Sequence, residues 1–174
     1  MKISVVLPCY NEALVIRETH RILYGVLEQS FSDFEIIYVN DGSIDNTREI
    51  LNQIRTENTN TKVIHFSRNF GHQPAVTAGI RNATGDYIVV IDSDLQDPPS
   101  LIPKMVDLAR MERANVVYAV RQSREGETWF KKWTAKMYYQ LINSMSEVSF
   151  PIDTGDFRLI DRKVADVFCN LEKT

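Results

Sequence analysis

The chain has 174 residues, 44% of them hydrophobic and 25% charged, with a formal net charge of -3. That length suits one domain with a proper core and is too short for two comfortable ones. The balance lacks the basic excess of a nucleic-acid binder, so no nucleic-acid partner is expected. Two cysteines, Cys9 and Cys169, lie far apart without CxxC spacing, which argues against a zinc site or a disulfide framework and fits a reducing, cytosolic compartment. No stretch approaches the roughly 20 apolar residues needed to cross a bilayer.

In chain order, short β-rich runs alternate with longer amphipathic ones. The opening apolar run is too short for a signal peptide and reads as a buried strand. Strands are predicted at residues 3–7, 35–39, 63–67, 87–91 and 116–120, and helices at 12–29, 46–57, 74–82 and 101–113, where apolar residues recur every three or four positions. This alternation predicts an α/β domain with a mostly parallel central sheet flanked by helices. Polar or Gly-containing segments follow four strands: 8–12, 40–43, 68–72 and 92–94. Ligands of open parallel sheets sit at the carboxyl ends of the strands, so these loops should converge on one crevice.

The strongest chemical signal is Asp92-Ser93-Asp94-Leu95-Gln96, directly after the apolar strand at 87–91. Carboxylates at i and i+2 form a hard-oxygen site suited to Mg²⁺ or Mn²⁺ and a diphosphate. An isolated Asp-x-Asp is more often a strand-ending turn, and here the other loops supply the context. Asp41 follows the second strand and is read as a ligand contact, whereas Asp45 is read as a helix cap. Tyr10 and Glu12 offer an aromatic face and a carboxylate to a nucleoside, while Asn11 could equally cap the first helix. His72 stands alone, with no Ser/His/Asp or Cys/His arrangement around it, and receives no chemical role. Neither GxGxxG nor GxxxxGK[ST] occurs, which argues against a dinucleotide oxidoreductase.

Taken together, the loops resemble family 2 glycosyltransferases of the GT-A fold, most closely the branch of dolichol-phosphate-mannose synthases and bactoprenol-phosphate glucosyltransferases. The matching elements are PCYNE at 8–12, VNDGSIDNT at 39–47, SRNFGHQPAVTAG at 67–79, DSDLQDPP at 92–99 and TGDFRL at 154–159. They occur in family order along nearly the whole chain, which makes them far more specific together than any one alone.

The resemblance implies an inverting transfer of a sugar from a nucleotide-sugar, UDP-glucose or similar or else GDP-mannose, to a polyprenyl phosphate. It implies that Pro8, Tyr10, Glu12, Asp41 and Asp92 hold the nucleotide-sugar, and that Asp94, assisted by Gln96, binds Mg²⁺ or Mn²⁺. Arg121, Arg124 and Arg158 would face the acceptor phosphate, and Asp156 would orient the acceptor or take up a remaining proton. The segment 129–141 places Phe130, Trp133, Met137 and Leu141 on one face and Lys132 and Lys136 on another. That pattern fits a helix on a membrane surface or one packed on the sheet.

Members of this branch usually continue past TGDFRL, often into transmembrane helices. The chain therefore reads as a single catalytic domain, residues 1–174, cut short at its C-terminus and working at the cytoplasmic side of a membrane. A family 2 transferase with a soluble or polysaccharide acceptor and a non-catalytic nucleotide-binding remnant are the alternatives.

Overall fold

In the computed structural model, residues 1–120 and 154–171 are described. One compact unit comprises Met1–Tyr118 and Asp156–Thr174, and a second, Ala119–Gly155, falls almost entirely outside the described residues. The elements run β1 (Ile3–Cys9), α1 (Ile16–Ser30), β2 (Phe34–Asn40), α2 (Thr47–Glu57), β3 (Thr61–His65), α3 (His72–Asn82) and β4 (Tyr87–Val90). A 3₁₀ turn (Pro99–Leu101), α4 (Ile102–Glu112), β5 (Val116–Val120), β6 (Thr154–Asp161) and α5 (Arg162–Leu171) follow.

The sheet order is β3-β2-β1-β4-β6-β5. Strands β1 to β4 pair in parallel, and β6 runs antiparallel to β4. Every residue of β1 and β2 is buried, as expected of parallel strands covered on both faces. Side chains alternate across the sheet. On one face Val6, Ile37, Val39, Ile88 and Val90 pack with Ala75, Val76 and Ile80 of α3 and Ala165 of α5. Burying an aliphatic side chain of this size contributes roughly 1.5–3 kcal/mol. Gly79 brings α3 close to the sheet, since a Cβ there would lie 2.2 Å from Val6 Cγ1.

The observed elements follow the predicted pattern, with informative differences. Helix α1 starts at Ile16 and not at residue 12. Residues 12–15 form a turn in which Val15 and Ile16 donate to the Glu12 carbonyl. The amides of Glu12 and Ala13 instead donate to Thr47 Oγ1 and Asp45 Oδ2, so a contact distant in sequence replaces a local helix start. Strand β3 ends at His65 because its parallel partner β2 ends at Asn40, the residue opposite it. Helix α3 begins at His72, two residues before Pro74, where a missing N–H in the first turn costs no intrahelical bond. Strand β6 carries the TGDFRL motif and, with α5, lies beyond the strands and helices predicted from periodicity.

Candidate functional site

The chain reverses direction across the sheet between β1 and β4. From β1 it progresses to β2 and β3, then returns to place β4 on the other side of β1. Such a switch point leaves a crevice beyond the carboxyl ends of the strands. A cleft of about 260 Å³ lies there, lined by Pro8 at the end of β1, Tyr10 and Glu12 after it, Asp41 after β2, Asn69 and Gly71 after β3, His72 at the start of α3, and Asp92 and Asp94 after β4. The four loops predicted to converge do so.

These loops are stitched together by polar side chains. The Asn11 amide donates to Ser43 Oγ and the Ile44 amide to Asn11 Oδ1. Asn11 has φ 59°, a left-handed conformation that Asn tolerates better than most residues, and it therefore joins the first two loops without capping a helix. Asp45 accepts the amide of Thr47, the first residue of α2, but from one residue before the N-cap, which is Asn46 and not Asp45 as the sequence suggests. Both oxygens of Asp41 are engaged, receiving the amides of Phe70 and Gly71 at 2.7 and 2.9 Å. Gly42, at φ 66°, lies so close to the Arg68–Asn69 peptide that a Cβ would come within 2.2 Å of Arg68 C.

The Asp92-Ser93-Asp94 loop is anchored from beneath. Ser93 Oγ donates to the Pro8 carbonyl and Thr19 Oγ1 to the Ser93 carbonyl. The Gln96 amide donates to Asp94 Oδ1, and the intervening Leu95 has φ 62°, a strained backbone for a branched side chain of the kind that clusters at functional sites. Burial pushes the Asp92 carboxyl above its ordinary range; nearby His72 opposes this, and Asp156, Asp94 and Asp97 add to it. Burial likewise raises Glu12, reinforced by Asp94, Asp45 and Asp92. Carboxylates that disfavour one another's charge are a setting that a cation relieves.

Candidate metal donors fall in two groups. Asp94 and Gln96 are the pair expected from sequence, with Asp94 lining the cleft and Gln96 exposed. His72, Asp92 and Asp156 form the other, with one ligand atom from each lying within 4.8 Å of the rest. Carboxylate oxygens with one imidazole fit a divalent ion of the Mg²⁺ or Mn²⁺ type. Asp156 enters from β6, where Arg158, two residues along the same face, places Nη1 3.5 Å from Asp156 Oδ1. The sequence alone assigns His72 no role, yet its Nε2 lies 3.1 Å from Asp156 Oδ2. The two residues are 84 positions apart, and only the antiparallel return of β6 brings them together. Arg121, Arg124 and the 129–141 segment lie outside the described residues.

Among the described residues, no helix is long and apolar enough to cross a membrane. The family model for glycosyl transferase family 2 matches residues 4–168. A Bacillus subtilis protein named "Uncharacterized glycosyltransferase YkcC" is 52% identical over 98% of this chain and 52% of its own length. The "Prophage bactoprenol glucosyl transferase homolog" of Escherichia coli is 37% identical over 95% of this chain and 54% of its own length. The chain thus spans about half the length of these curated relatives. Among solved structures, S. aureus TarS 1-349 in complex with UDP-GlcNAc superimposes with a TM-score of 0.59 at 25% identity, covering 74% of this chain and 36% of that one. The mostly parallel sheet, the cleft at its switch point and these similarities lead to one conclusion: the chain belongs to glycosyl transferase family 2 and has the GT-A fold.

Proposed function

We propose that this chain carries the donor site of an inverting glycosyltransferase that moves a sugar from a nucleotide-sugar, UDP-glucose or a similar UDP-sugar, to a polyprenyl phosphate. The observation that carries the reading is the cleft in which Tyr10, Glu12, Asp41, Asp92 and Asp94 meet at the switch point. The 37% identity to a bactoprenol glucosyl transferase homologue supports the lipid acceptor, and the likeness to a structure holding UDP-GlcNAc supports a UDP-sugar donor.

In this reading Pro8, Tyr10, Glu12, Asp41 and Asp92 surround the nucleotide-sugar. Tyr10 is exposed at the cleft and can offer its ring to a base. Held by Asp94 with Gln96, a Mg²⁺ or Mn²⁺ ion would supply Lewis-acid stabilisation of the departing diphosphate. An acceptor phosphate oxygen forms the new bond to the anomeric carbon from the face opposite the leaving group. The old carbon–oxygen bond breaks and its electron pair stays on the nucleoside diphosphate. An ionised phosphate attacks without a strong base, so Asp156 orients the acceptor and takes up a proton only if one remains. Arg158, beside Asp156, pairs with the acceptor phosphate; Arg121 and Arg124 are proposed for the same phosphate on the sequence resemblance alone. The acceptor places the reaction at a membrane surface, on the cytoplasmic side.

The test is calorimetric titration of UDP, GDP and UDP-glucose with and without Mn²⁺, followed by transfer of labelled glucose to a polyprenyl phosphate in detergent. Metal-dependent binding of UDP-glucose that is lost in Asp94→Asn, together with labelled lipid product, is expected. Binding that ignores the metal and Asp94, or transfer only to water-soluble acceptors, would refute the corresponding half of the reading.

A further inference from the structure

The chain has three histidines, and two are explained by local packing. His20 Nδ1 lies 3.0 Å from Tyr38 Oη in the core, and His65 sits between Asn40 and Asn52. His72 is different, because it stands at the cleft beside Asp92 and Asp156, with its Nε2 3.1 Å from Asp156 Oδ2 on β6. Resting on the transfer reading above, we infer that His72 is a positioning residue that holds the Asp156 carboxylate in place for glycosyl transfer.

The placement of His72 is built in. It is the first residue of α3, entered through Gly71 at φ 102°. The two amides before it are fastened to Asp41, and Gly42 packs against the Arg68–Asn69 backbone at a distance only glycine allows. The imidazole therefore projects from a loop tied to the rest of the cleft. Asp156, by contrast, has a terminal torsion with a broad, two-fold preference and no intrinsic reason to hold one orientation. His72 approaches Oδ2 at 3.1 Å and Arg158 approaches Oδ1 at 3.5 Å. One partner on each oxygen defines the plane of the carboxylate. Reacting groups displaced by about 1 Å can lose on the order of 100-fold in rate, so holding that plane matters to turnover more than to donor binding.

The experiment compares steady-state transfer from UDP-glucose to polyprenyl phosphate for the native protein, His72→Ala, His72→Gln, Asp156→Asn and the His72→Ala/Asp156→Asn pair. His72→Ala should lower kcat by about 10- to 100-fold, up to the loss that a misplacement of about 1 Å brings, with KM for UDP-glucose little changed. His72→Gln, which keeps an N–H donor, should recover part of that loss. Adding His72→Ala to Asp156→Asn should cost nothing further. Losses that multiply in the double variant, or a raised KM with unchanged kcat, would overturn the inference, since His72 would then act independently of Asp156.

A second measurement needs no turnover. In histidine side-chain ¹⁵N–¹H spectra at fixed pH, Asp156→Asn should move the His72 signals and leave those of His20 and His65 in place. Unmoved His72 signals would overturn the pairing directly. Absence of transfer in the native protein with the His72 response intact would instead count against the transfer reading, so the two failures are distinguishable.

Discussion

Asp41 and Gly71 are joined across the cleft floor: Asp41 Oδ2 accepts the Gly71 amide at 2.9 Å while Oδ1 accepts that of Phe70 at 2.7 Å. The carboxylate read from sequence as a ligand contact thus also fastens the β3–α3 loop. Asp41→Ala would leave two amides without their partner at a half-buried position, at a cost of about 1–3 kcal/mol. The expected outcome is a lower Tm and weaker calorimetric binding of UDP. Asp41→Asn, which keeps one acceptor oxygen, should lie between. Undiminished nucleotide affinity in Asp41→Ala would separate this anchor from the donor site.

Two helical glycines should respond in opposite directions. Gly25 in α1 has nothing within 4 Å of an added Cβ, so Gly25→Ala should stabilise by about 0.5–1 kcal/mol through helix propensity alone. At Gly79 the same gain is opposed by a Cβ placed 2.2 Å from Val6 Cγ1 and 3.3 Å from Val39 Cγ2. Overpacking of this kind costs about 1–3 kcal/mol, which exceeds the propensity gain, so Gly79→Ala should destabilise. Urea midpoints of the two variants on either side of the native value are the expected result.

Glu35 should contribute to stability against acid. Burial alone would raise its carboxyl, but hydrogen bonds from Lys62, Ser4 and Thr84 outweigh that and bring it down to about 2 from an ordinary 4.5. A depressed carboxylate adds stability that is fully present above its unfolded value and is lost as pH falls through the folded one. The fold should therefore weaken between about pH 4.5 and pH 2. Glu35→Ala leaves Ser4 Oγ and the Thr84 amide without the acceptor they share and should cost about 1–3 kcal/mol at neutral pH, with a shallower acid transition. Tm measured across this pH range checks both.

Asp92 works in the other sense. Its carboxyl is raised by burial and by the neighbouring carboxylates, with His72 opposing. The stability associated with such a group is present below its unfolded value and lost as pH rises through the raised folded value. At neutral pH, Asp92→Asn should increase stability while weakening Mn²⁺ and nucleotide binding, a trade between stability and function. A variant that gains no Tm would show that the crowded carboxylates cost the fold nothing.

Much of the molecule was legible without coordinates. Apolar strands with helical stretches between them determined the parallel core from β1 to β4, because burial on both faces demands continuous apolar runs such as 3–7 and 35–39. Polar residues after those strands determined where Tyr10, Glu12, Asp41, Asp92 and Asp94 would gather, because open parallel sheets expose ligands at their carboxyl ends. Tertiary structure decided the rest. That Asp41 is an anchor, that Asn11 bridges two loops and that α1 starts late all depend on hydrogen bonds between segments about 30 residues apart, which periodicity cannot register. His72 belongs to the same class: as a lone histidine it carried no pattern, and only β6, returning antiparallel beside β4, sets Asp156 3.1 Å from its ring. Local sequence specifies what a segment tends to become, whereas a pair distant in the chain acquires its meaning only when the sheet closes the distance.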